Sequence, residues 1–159
     1  MRSTWAPRGQ TPVLDHVHDR RSVSAIGAIC LSPGRRRLRH FLHLWRETID
    51  SEAIEVFLRD LLGHLRGRII LVWDRLGAHR KAVASFAQSH PRLWVEWFPP
   101  YAPELNPVEW LWSWMKGTPL SGLCPDDVES LLDAIGEAHH QITAPLLDGF
   151  LRGPEVTWN

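Results

Sequence analysis

The sequence predicts an α/β domain. The segment Arg68 to Asp74 (RIILVWD) is a run of consecutive apolar residues closing on an acid, the pattern of a central strand buried on both faces. Segments with a helical period alternate along the chain with short strand-like runs, the order expected of helices flanking a sheet. With 159 residues, 44% of them hydrophobic and 23% charged, the chain is one domain's worth of ordinary globular composition, which argues against disorder or a coiled coil.

The elements follow in order. Ser3 to Leu14, with Trp5, Pro7, Gly9 and Pro12, reads as an extended, turn-rich lead-in. Ser22 to Leu31 and Leu38 to Trp45 are strand-like runs around Pro33-Gly34, a hairpin. Ile49 to Leu65 repeats its apolar residues near every 3.6 positions behind Asp50 or Ser51 as N-cap, and Gly67 supplies a stop. The apolar strand ending at Asp74 comes next, and Gly77 breaks it. His79 to His90 reads as a helix and Leu93 to Phe98 as a strand that Pro99-Pro100 ends. Helices are expected at about Pro107 to Lys116 and Pro125 to Ile142, each with proline at an early position. The residues after Pro145 carry no clear assignment.

Lysine plus arginine equals aspartate plus glutamate, 18 of each, so no overall basic field marks a nucleic-acid partner. Arg20, Arg21, Arg35, Arg36, Arg37 and Arg39 nevertheless crowd the first quarter, either as a phosphate-contacting face or as solvated turn residues. Cys30 and Cys124 lack the paired spacing of a zinc ribbon or disulfide framework. No apolar run approaches a bilayer span and the start MRSTWAPRG lacks a signal-peptide core, so a cytoplasmic protein without a membrane partner is expected.

Two acids stand out. Asp74 sits where a strand meets a glycine-loosened turn, RLGAH, a place that can hold a metal ligand rigidly beside room for substrate. The plainer roles for it are capping the helix near His79 or pairing with Arg75. Glu109 follows four prolines within nine residues, Pro99 to Pro107, a stiff connection in which Asn106 can cap the next helix. A carboxylate in a first helical turn is electrostatically favourable in any case. The sharper reading is that the stiff loop turns Glu109 toward Asp74.

The blocks VWDRLGAH and PPYAPELNPVEWLW, with thirty-four residues between Asp74 and Glu109, resemble the mariner superfamily of transposases, in particular its bacterial insertion-sequence branch. RSTWAPRGQTP also resembles the segment those proteins carry just after their first catalytic acid, and the resemblance runs from about Ser3 to Gly117. It implies a ribonuclease-H-like mixed sheet flanked by helices, with a partial DDE transposase catalytic domain over residues 1–145 and a tail over 146–159. It also implies an Asp, Asp, Glu triad holding two divalent ions, usually Mg with Mn as an alternative, and it maps the second acid onto Asp74 and the third onto Glu109. Hard cations placed close together need shared oxygen ligands, which carboxylates provide.

In that family the first acid lies on the first strand, upstream of the WAPRGQTP segment, and Met1 stands only a few residues before it. The expectation is therefore an N-terminally truncated domain without its first strand, first acid and helix-turn-helix. Asp15 and Asp19 follow the segment and read as loop residues. The implied partner is DNA, at transposon ends and target, with a homodimer or a separately encoded N-terminal portion completing the assembly and a nucleoid location when bound. Two other readings stay open: a non-catalytic remnant serving as a DNA-binding or dimerisation partner, and a structure-specific nuclease of the same fold.

Further candidates are weaker. His79, Arg75 and Lys116 could meet DNA phosphate; His79 could instead orient the site, and Lys116 could simply complement its helix dipole. His16 with His18, and His139 with His140, lack zinc-site spacing and read as surface. Trp110, Trp112 and Trp114 fit core packing better than base stacking.

Overall fold

The computed structural model describes residues 22–35 and 37–152. The first-quarter residues Arg20, Arg21 and Arg36, the RSTWAPRGQTP segment, Asp15, Asp19, His16 and His18 lie outside them. The architecture is mixed α/β, small sheets flanked by helices, consistent with a ribonuclease-H-like DDE fold.

Strands β1 (Ser24–Leu31) and β2 (Leu38–Trp45) form the expected antiparallel hairpin, in register from Leu31 opposite Leu38 to Ser24 opposite Trp45. A 3-10 turn at Pro33–Arg35 joins them, with Gly34 at φ 72°, a backbone conformation that glycine adopts without penalty. Helix α1 (Ser51–His64) starts at Asp50, whose side chain accepts from the amides of Glu52 and Ala53. It buries Ile54, Phe57, Leu58, Leu61 and Leu62, each side chain contributing about 1.5–3 kcal/mol of transfer free energy. The guanidinium of Arg92 then donates to the carbonyls of Leu65 (2.6 Å) and Leu62, satisfying carbonyls that the helix end leaves open.

Strand β3 (Ile69–Trp73), helix α2 (Gly77–Ser89) and strand β4 (Leu93–Trp97) form a parallel β-α-β unit, with Ile69 opposite Leu93 and Trp73 opposite Trp97. Helices α3 (Pro107–Gly117), α4 (Val128–His140) and α5 (Ala144–Arg152) complete the chain. Helix α5 forms where the sequence offered no assignment; Thr143 followed by Pro145 is a start signal, and Leu147 is buried. Pro125 is not in the first turn of α4: Asp127 caps that helix by accepting from Ser130.

Period-two alternation decides which layer each residue joins. On β1, Ile26 and Ala28 enter the cluster built by α1, α2, β3 and β4. Ile29, one residue on, joins a second cluster of Leu111, Met115, Ala138, Ile142 and Leu147 from α3, α4, α5 and the turn between α4 and α5. Gly27 on the same face lets Trp112 of α3 lie close, since a Cβ there would stand 3.0 Å from the indole. Helices thus cover both faces of the hairpin.

The same is not true of β3, and the expectation of a strand buried on both faces needs correction. Trp73 is buried, whereas Ile70 is 70% exposed and Val72 47%. Among the described residues β3 pairs only with β4, in a two-stranded sheet separate from the hairpin. Helices α1 and α2 cover the face of Ile69, Leu71 and Trp73, and Trp94 shares the open face with Ile70.

Candidate functional site

Because β3 and β4 run parallel, both deliver their C-terminal ends to the same edge, where crevices form in α/β sheets. Past β3 comes Asp74; past β4 comes Phe98, whose amide donates to the Trp73 carbonyl at 2.8 Å and carries the ladder up to the acid. The proline-rich connection therefore begins beside Asp74. A cleft of about 400 Å³ results, lined by Asp74, Arg75 and Leu76 on one side and by Phe98, the Pro99–Pro103 loop, Asn106 and Glu109 on the other. The two acids that sequence spacing singled out face one cleft.

Asp74 is held from below. Its Oδ1 accepts from the Leu76 amide at 3.2 Å and lies 2.5 Å from Nδ1 of His79. With the carboxylate ionised, Nδ1 carries the proton and donates it. The imidazole is buried and stacked on Trp73, with ring centroids 4.0 Å apart and planes 26° from parallel. The plainer roles for Asp74 are not seen: helix α2 has Leu76 as N-cap with no side-chain cap bond, and the side chain that meets Asp74 is His79, not Arg75.

Glu109 is placed by a different device. Pro103–Leu105 forms a 3-10 turn, and Asn106 then caps α3 by accepting from the Val108 amide at 3.1 Å, with Pro107 in the first helical position. Glu109 is the third residue of that first turn and is exposed. The helix is anchored by Leu111 and Met115, both buried in the second cluster. Trp112 and Trp114 pack against the same cluster, as core residues rather than stacking platforms. Trp110 is half-exposed and its indole N–H donates to the Glu104 carbonyl at 3.3 Å.

The other candidates separate. Arg75 is exposed and lines the same cleft as the two acids. His79 is buried beneath Asp74 instead of facing outward. Lys116 lies near the far end of α3, roughly 10 Å along the axis from Glu109, outside the cleft lining. His139 is not simply surface: its Nδ1 meets Nε2 of His40 at 3.2 Å, joining α4 to β2. Sequence reading passed over Tyr101, which lines the cleft at φ 59° and is fully exposed; an aromatic between two proline steps was the available signal.

The ionisable lining of the cleft is Asp74, Glu109, Arg75 and the Tyr101 phenol, without thiol or imidazole, and its two carboxylates suit hard cations. Among the described residues no group of three or more His, Cys, Asp and Glu side chains is gathered as a metal site. Asp74 and Glu109 therefore fit as part of a ligand set that water or further oxygen donors would complete. Among the described residues no helix is long and apolar enough to cross a membrane.

Residues 1–132 match the family model described as DDE superfamily endonuclease. No curated protein matches the chain.

Proposed function

The chain belongs to the DDE superfamily endonucleases, and from that premise we propose that Asp74 and Glu109 are two of the metal-binding carboxylates of a transposase catalytic domain. The family has a transposase-like nuclease function, acts on DNA and typically uses divalent metals. The finer reading is strand cleavage at transposon ends followed by strand transfer, in a protein of the mariner and insertion-sequence type. The observation that carries it is the shared cleft of Asp74 and Glu109 at the carboxyl ends of two parallel strands.

When bound, Mg or Mn would supply charge neutralisation at a scissile phosphate and a more acidic attacking water or 3′-hydroxyl. The chain's own residues orient and exclude. Asp74 lines the cleft with Oδ1 occupied by His79 and Leu76, so Oδ2 is the oxygen that would meet a metal. Glu109 stands at a helix N-terminus whose entry is fixed by Asn106 and three prolines of the preceding loop. Arg75 is suited to a phosphate oxygen. Burial of His79 favours an orienting role over a phosphate contact, and the place of Lys116 fits a contact, if any, with DNA beyond the cleft.

The donor set of two carboxylates favours a second reading in part: a chain that contributes DNA-contacting or dimerising surfaces and depends on a third acid from another segment or chain. The test is Mg-dependent nicking of DNA carrying transposon ends, by the chain alone and by a form extended upstream or mixed with an upstream portion. Nicking only in the extended or mixed form, abolished by Asp74→Ala and by Glu109→Ala, is the expected result. Nicking that survives either substitution removes the proposed role; cleavage indifferent to end sequence points to a structure-specific nuclease.

A further inference from the structure

Tyr101 combines three properties that folding does not account for. Its backbone is left-handed, with φ at 59°, a conformation that bulky L-residues seldom occupy and that persists only where the surroundings dictate it. Its side chain is 101% exposed, so the ring adds no buried apolar area to the fold. Its neighbours Pro99, Pro100 and Pro103 restrict the loop on both sides, so the ring is projected from a stiff support. Strain held at an exposed aromatic in a site is what a pre-organised binding contact requires.

The chemistry of the cleft narrows the ligand. Leu76, 60% exposed, and Phe98 also line the cleft, so apolar surface shares it with the two acids. A flat apolar face next to a phosphate-processing centre suits a nucleobase, since every base has a π-face and stacking on an aromatic is tolerant of sequence. A base inside a duplex cannot reach such a ring until it is unstacked.

We propose that Tyr101 stacks on an unpaired nucleobase next to the phosphate held at Asp74 and Glu109, so that the cleft takes DNA with a locally opened strand. The proposal rests on the reading of that cleft as a DNA-processing site. It gives the left-handed residue a reason to be aromatic.

The test uses a 20-base-pair duplex ending in a three-nucleotide single-stranded flank that carries 2-aminopurine, and a fully paired duplex with the same probe, in metal-free buffer. The full chain should quench the flank probe and bind the flanked DNA more tightly than the paired one. Tyr101→Phe should keep both properties, and Tyr101→Ala should lose the quench and about tenfold in affinity for the flanked DNA. Tyr101→Gly should lose them while melting at or above the unaltered protein's temperature, because it relieves the left-handed strain. Three results overturn the proposal: equal binding of both duplexes without quenching, no binding of either, or a Tyr101→Ala variant within twofold of the unaltered chain. Because binding and quenching are read without any cleavage, these outcomes do not depend on the catalytic role given to the acids; nicking that survives Asp74→Ala would sink the assignment of the centre without touching this comparison.

Discussion

His79 lies 2.5 Å from Asp74, Nδ1 to Oδ1, and its ring rests on Trp73, the residue immediately before that acid. One buried imidazole thus fixes both the strand end and the carboxylate it presents. Oδ1 also accepts from Leu76, so in the proposed site Oδ2 is the oxygen that would serve a ligand. The strand supplies position, and the histidine supplies orientation.

His79→Ala should weaken Mn²⁺ binding by about 10-fold or more, the usual scale for loss of a hydrogen bond behind a ligand. His79→Asn can still donate from near the Nδ1 position and should recover most of that loss, even where both variants lower the melting temperature. Isothermal titration with Mn²⁺ reads the difference. Equal affinities for the alanine and asparagine variants would mean that the ring only packs on Trp73.

Gly27→Ala should disturb Glu109 from a distance. A Cβ at Gly27 would stand 3.0 and 3.1 Å from two carbons of the Trp112 ring, and Trp112 belongs to the helix that carries Glu109. Overpacking of this kind costs about 1–3 kcal/mol. Calorimetry should show a melting temperature lower by roughly 2–12 °C, given about 2–4 °C per kcal/mol at this size. Adding Trp112→Leu should return part of it; a fully additive double variant would argue against the contact.

The two cysteines should react differently. Cys124 is exposed, while burial pushes the Cys30 thiol up to about 11 despite the opposing charge of Arg39. At pH 8 roughly one Cys30 in a thousand is thiolate, and the thiolate is the reactive form. A thiol-disulfide dye should therefore titrate one equivalent quickly and the second only on unfolding.

Stability should fall on mild acidification. Burial, and then the neighbouring imidazole, hold His40 below its ordinary 6.5, and burial followed by the charge of His140 does the same to His139. A lowered folded value means that the unfolded chain takes up protons first, so the stabilisation is complete above about pH 6.5 and is lost as pH falls below it. Melting curves from pH 8 to pH 5 should decline, and His40→Gln with His139→Gln should flatten the decline.

The placing of Asp74 and Glu109 on one cleft was legible because its signals are local. An apolar strand ending at Asp74, and prolines leading to a capping Asn106 three residues before Glu109, are patterns of neighbouring residues whose consequences follow from backbone chemistry. The open face of β3 was not legible, because the apolar run IILVW records that the residues are apolar but not what lies over Ile70 and Val72. The contact of His40 with His139 spans 99 positions and exists only once α4 has docked on β2. Burial of His79 likewise depends on Trp73 turning its ring inward, which alternation along β3 decides.

The most direct test of the account is a double-variant cycle on metal affinity. Mn²⁺ binding is measured for the chain with Asp74→Asn, with Glu109→Gln, and with both. If the two carboxylates serve one cleft-bound ion, each single substitution should weaken binding about tenfold or more, and the pair should cost clearly less than the product of the two losses. Losses that multiply, or a single variant that binds Mn²⁺ like the unaltered chain, would contradict a metal centre shared by Asp74 and Glu109.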